Sequence, residues 1–67
     1  MTREEMGVNA GLVWNALNEN GAMTVKNLKK VTKLKDKQIY AAMGWLARED
    51  KISVAEADND LEVTLIG

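Results

Sequence analysis

The stretch "VKNLKKVTKLKDKQIYAAMGWLARED", residues 25–50, decides the fold. It carries two amphipathic repeats separated by a few polar positions. In the first, Val25, Leu28 and Val31 face one way at helical spacing, while Lys26, Lys29 and Lys30 face the other. In the second, Ile39, Ala42, Met43 and Leu46 follow the i, i+3, i+4, i+7 order of a helix with one buried stripe. The spacing predicts helix 2 over about 25–32 and helix 3 over about 36–49. Lys33 and Leu34 fill the turn between them, with Leu34 pointing inward. Thr24 is placed to cap helix 2, its hydroxyl accepting from an orphan backbone N–H.

Upstream, residues 4–19 predict helix 1, stopped at Asn20-Gly21, where glycine can adopt a left-handed cap. Met6, Ala10, Val13 and Leu17 share a narrow arc with Trp14 beside them, and Val8, Leu12 and Ala16 form a second stripe. Gly7 and Gly11 each weaken the helix by up to about 1 kcal/mol relative to alanine, so packing must hold it. Downstream of Asp50 the apolar period changes from 3.6 to 2. "KISVAEA" (51–57) and the strand at 61–66 predict a hairpin around Asp58-Asn59-Asp60. A further short strand is expected near 22–24.

Sixty-seven residues make one domain, 1–67, of the α+β class. A chain this short buries only about 60% of its unfolded surface, so its core is marginal. The absence of cysteine removes disulfides and thiolate zinc sites as support, and the absence of histidine removes the usual near-neutral acid–base group. Self-association then becomes attractive. The Val8, Leu12 and Ala16 stripe, anchored by Trp14 or Trp45, is an expected homodimer or partner surface; the competing reading places both indoles in the core.

No enzyme is expected. Ser53 and the threonines have no histidine partner, and the lysines crowd together on exposed faces rather than in a desolvated site. The chain is also too short for a roomy cleft, so no cofactor and no small-molecule substrate are expected. Asp58, Asp60 and Glu62 lack the twelve-residue calcium frame, which leaves no metal site, and "GVNAG" is no phosphate-binding fingerprint. No apolar run reaches the roughly 18 residues a membrane span needs. Met-Thr-Arg-Glu-Glu also lacks the order of a signal peptide, so a cytoplasmic protein without membrane contact is expected.

Charge is segregated although the chain carries only −1 in total. Residues 26–37 hold six Lys and one Asp, a net of +5. Residues 48–67 hold Arg48 and Lys51 against Glu49, Asp50, Glu56, Asp58, Asp60 and Glu62, a net of −4. Such asymmetry points to a charged partner more than the total does.

Three helices, a tight turn between the second and third, and a terminal hairpin are the parts of a winged helix-turn-helix. "GLVWNALNENGAMTVKNLKKVTKL" (11–34) followed by "GWLAREDKI" (44–52) resembles the small winged helix-turn-helix family of about seventy residues found in bacteria and archaea. "GWLARED" is the most specific part, and the likeness covers nearly the whole chain. The resemblance implies a winged-helix fold, DNA binding and dimers, and no established activity. Two features depart from the general pattern. Lys33 stands where glycine commonly supplies a positive φ, at a cost of about 1 kcal/mol. The hairpin tip is acidic, whereas a wing gripping the minor groove should carry Arg or Lys.

The expected function is therefore double-stranded DNA binding of a transcription-associated kind. Lys26, Lys29, Lys30, Lys33, Lys35 and Lys37 would neutralise phosphates as helix 3 enters the major groove. Gln38, with Lys37, Tyr40, Ala41 and Arg48, would meet the bases. The alternative is a protein-interaction module contacting its partner through the acidic wing and a tryptophan-centred surface.

Overall fold

A computed structural model describes residues 1–66. The elements run α1 (Arg3–Asn20), β1 (Met23–Thr24), α2 (Val25–Thr32), α3 (Asp36–Arg48), β2 (Ile52–Ala57) and β3 (Asp60–Leu65). Each boundary has a local cause. Thr2 caps α1, its Oγ1 accepting from the Glu5 N–H at 3.1 Å, and Glu4 and Glu5 place negative charge against the helix dipole. Gly21, at φ 78, ends that helix while its N–H donates to the Leu17 carbonyl at 2.8 Å.

Thr24 starts α2 by accepting from the Asn27 N–H at 3.2 Å. Lys33 then stops it in the left-handed region, φ 63 and ψ 15, with its N–H donating to the Lys29 carbonyl at 3.0 Å. The turn geometry thus falls on a lysine where glycine would be unstrained. Helix α3 ends in a Schellman arrangement. Asp50, at φ 57, donates to the Ala47 carbonyl and Lys51 donates to the Leu46 carbonyl, which sends the chain into β2.

The three strands form one antiparallel sheet in the order β1-β3-β2. Asp58 and Asn59, at φ 44 and 65, make the two-residue type I′ connection between β2 and β3. Met23 pairs with Val63 and Thr24 with Glu62, so the segment between α1 and α2 becomes the third strand. Helix α1 packs against α2, α3 and β3. The core is built from Ala10, Val13, Ala16 and Leu17 of α1, Val25 and Leu28 of α2, the Ile39, Ala42, Met43 and Leu46 stripe of α3, and Met23, Ile52 and Val63 of the sheet.

Two expectations are corrected here. Val31 does not share the buried face of α2, being 53% exposed. The helix has only eight residues, and its inward side beyond Leu28 is taken by half-buried Thr32, whose hydroxyl donates to the Leu28 carbonyl at 2.6 Å. Ala16 belongs to no outer seam, since it is only 5% exposed and lies in the core cluster.

Candidate nucleic-acid interface

At 100° per residue, Lys26, Lys29 and Lys30 occupy about 100° of α2, and Lys33 continues the same flank into the turn. Lys35 immediately precedes α3, and Lys37 begins its outer side. All six are exposed.

Lys29 differs from the others. Its Nζ lies 2.6 Å from Asp36 Oδ1, which joins α2 to the first residue of α3. The hydrogen bond to Asp36, reinforced by that carboxylate's charge, holds the Lys29 ammonium above the ordinary lysine pKa. Both side chains are well exposed, so the pair is screened, but Lys29 already has an anionic neighbour.

The outward side of α3 presents Lys37, Ala41, Gly44 and Arg48. Lys37 and Arg48 are eleven residues apart, about 16 Å along the axis, with only small residues between them. Ala41 is half-buried, and a Cβ added at Gly44 would meet nothing within 4 Å. Gln38 is also half-buried, and its Oε1 accepts from the Lys35 N–H at 2.8 Å. A bidentate contact with adenine, which needs both ends of the amide, would require this bond to open. Tyr40 is half exposed and lines a shallow cleft with Asp58, Asn59, Asp60 and Leu61 at the hairpin tip.

The wing is not held away from the basic helix, as charge segregation along the sequence suggests. Asp60 Oδ2 accepts from the Lys26 N–H at 3.1 Å, while Oδ1 accepts from the Leu61 N–H at 2.7 Å. The N-terminus of α2 is therefore capped by Thr24 from its own chain segment and by Asp60 from the hairpin. Sequence reasoning missed this role of Asp60 because the contact spans 34 positions. One clue was available: the first turn of α2 contains no acidic residue, although its dipole favours one.

On α1, Val8 and Leu12 are 65% and 43% exposed, so these two remain of the expected seam. Trp14 and Trp45 are half-buried and pack against the core. The Trp45 ring lies over α1, its Cη2 3.7 Å from where a Cβ at Gly7 would sit. Among the described residues no cluster of three or more His, Cys, Asp or Glu is placed to hold a metal. No helix among them is long and apolar enough to cross a membrane.

A two-helix motif closed by a left-handed turn, supported by α1 and followed by an antiparallel hairpin, defines a winged helix-turn-helix domain. The chain belongs to the family described as the winged helix-turn-helix domain DUF2582, which matches residues 1–65. It is similar to the protein BT2368 from Bacteroides thetaiotaomicron, whose structure was solved in solution by NMR. The two share 34% sequence identity and superpose with a TM-score of 0.85, covering 97% of this chain and 79% of that one. No curated protein matches the chain.

Proposed function

We propose that this domain binds double-stranded DNA through α2 and α3, with the wing taking no part in the grip. The observation that supports this is that Lys26, Lys30, Lys33, Lys35 and Lys37 are all exposed along α2, the turn and the start of α3, whose outward side runs from Lys37 to Arg48 over the small residues Ala41 and Gly44. Lysines of α2 and the turn meet phosphates, and α3 approaches the groove closely because Ala41 and Gly44 offer no bulk. Base contacts then fall to Lys37, Tyr40 and Arg48, with Ala41 suited to a thymine methyl. Such a surface supports backbone-dominated binding with weak sequence choice. The acidic tip repels phosphate and serves α2 as a cap instead.

The test is a titration with random duplex DNA at several salt concentrations. With about four phosphates neutralised, log K falls against log[salt] with a slope near −3.6. NMR shifts concentrate on Lys26–Lys37. Salt-independent binding, or shifts absent from that segment, would overturn the reading.

A second reading has its own support in exposed Val8 and Leu12 on α1 and in the acidic wing: a module for protein partners. A protein that perturbs α1 or the hairpin, together with silence of Lys26–Lys37 toward DNA, would favour it. A homodimer is compatible with either reading, and it would double the cationic surface.

A further inference from the structure

Strand β2 is the long outer edge of the sheet. The opposite edge, β1, has two residues and runs directly into α2, whereas β2 has six. The register of β2 with β3 is unbroken from Ile52↔Leu65 to Ala57↔Asp60, and the strand contains neither lysine nor proline. Bulges, lysines and prolines, which commonly blunt an edge, are all missing from it.

The Lys51 carbonyl accepts from the Ile66 N–H at 3.0 Å, so residue 51 turns its polar groups toward β3. Alternation turns those of Ser53, Ala55 and Ala57 the same way and those of Ile52, Val54 and Glu56 outward. Ile52 is only 5% exposed, which leaves Val54 and Glu56 as the open part of the edge. Their side chains share the helix-facing side of the sheet, since Val54 stands opposite buried Val63 and Glu56 opposite Leu61. Beside them lies the cleft of about 600 Å³ at the hairpin tip, bounded by Glu56, Asp58, Asp60 and Tyr40.

Charge decides what can occupy this edge. Residues 52–66 contain Glu56, Asp58, Asp60 and Glu62 and no cation. Among the described residues the one ion pair is Lys29–Asp36, so Glu56, Asp58 and Glu62 have no basic partner. Nucleic acid would bring phosphates here, and a second copy of this edge would bring the same carboxylates. Both are repelled. A cationic strand is attracted.

We propose that β2 accepts an extended basic segment of another protein as an added antiparallel strand. The partner's residue opposite Val54 is apolar, and the one opposite Glu56 is Arg or Lys. In this register both exchange N–H and C=O bonds with the open edge. The basic side chain stands beside Glu56 on the helix-facing side, and its head enters the cleft among the carboxylates and toward the Tyr40 ring. A second basic residue, two positions earlier in the partner, reaches Asp58. The inference rests on the protein-partner reading above and gives it a site, a direction and a partner chemistry.

The probe is the synthetic peptide Arg-Thr-Arg-Thr-Val-Thr, titrated into the intact, isotope-labelled chain. Its central arginine faces Glu56 and its valine faces Val54. NMR shifts appear on β2 and Tyr40, and the Val54 and Glu56 amides gain protection from hydrogen exchange. N-methylation of the central arginine and the valine abolishes binding, whereas N-methylation of the two threonines preceding them, whose amides point away from β2, leaves it intact. The counterpart with Glu for Arg does not bind. E56K, which turns a cross-strand attraction into a repulsion, weakens binding of the basic peptide by about tenfold. Equal binding of the two methylated peptides overturns strand addition. Shifts on Val8 and Leu12 with none on β2 overturn the edge but leave the partner reading standing. No shift anywhere also overturns the edge, while the partner reading falls only if no protein perturbs α1 or the hairpin.

Discussion

The backbone N–H of Lys26 and the carboxylate of Asp60 meet at 3.1 Å across 34 residues, so the hairpin tip holds the first turn of the most basic helix. This contact joins an element rich in ammonium groups to one rich in carboxylates. It gives D60A two opposite effects. Losing a cap lowers stability by about 1 kcal/mol, visible as a lower urea midpoint with an unchanged slope. On the proposed DNA reading, losing a carboxylate beside the α2 lysines also tightens duplex binding. D60N, which keeps an acceptor oxygen, retains most of the stability and shows the same gain in binding.

Lys33 separates folding from binding. K33G relieves a left-handed backbone carried by a side-chain-bearing residue and raises stability by about 1 kcal/mol. On the proposed DNA reading the same change removes one phosphate partner, so the salt slope becomes shallower by about 0.9. A variant that is more stable yet less salt-dependent is the expected outcome of thermal melts and DNA titrations run side by side.

The Lys29–Asp36 pair sets an alkaline signature. The folded-state pKa of Lys29 lies above its ordinary value because of the bond to Asp36. The contribution is therefore fully present below the unfolded lysine pKa of about 10.4 and is lost as pH rises through the raised folded value. K29M should fall slightly below the parent in stability at neutral pH, with the gap closing at high pH. Urea titrations from about pH 8 to about pH 12 check the direction.

Asn9 is 7% exposed, and its buried Nδ2 has no hydrogen-bond partner. An unmatched buried donor is costly, whereas an apolar group of similar shape is not. N9L therefore raises stability by about 1 kcal/mol or more, read from the thermal midpoint.

Local chemistry was legible in the sequence. The Thr24 cap, the Ile39–Leu46 stripe and the change of period after Asp50 each depend on neighbours a few positions away. Lys33 was legible as the turn residue for the same reason. What escaped was set by distant packing. Periodicity shows two apolar stripes on α1 but not that α2, α3 and β3 surround it, which draws Ala16 inside and leaves Val8 and Leu12 out. Val31 keeps its helical phase yet lies beyond the reach of the core. Gln38 reads as a base-contacting amide until the Lys35 N–H claims its oxygen. Asp60 reads as turn punctuation because nothing nearby in the chain reveals α2 beside it.

Gly44 sits mid-helix with open space where a side chain would project, and Ala41 stands one turn before it. An alanine installed at position 44 places its Cβ without compressing a neighbour and should firm the helix by up to about 1 kcal/mol. The outward strip of α3 thus carries little bulk. On the DNA reading proposed above, this strip is where small substitutions would change target preference at least cost to the fold.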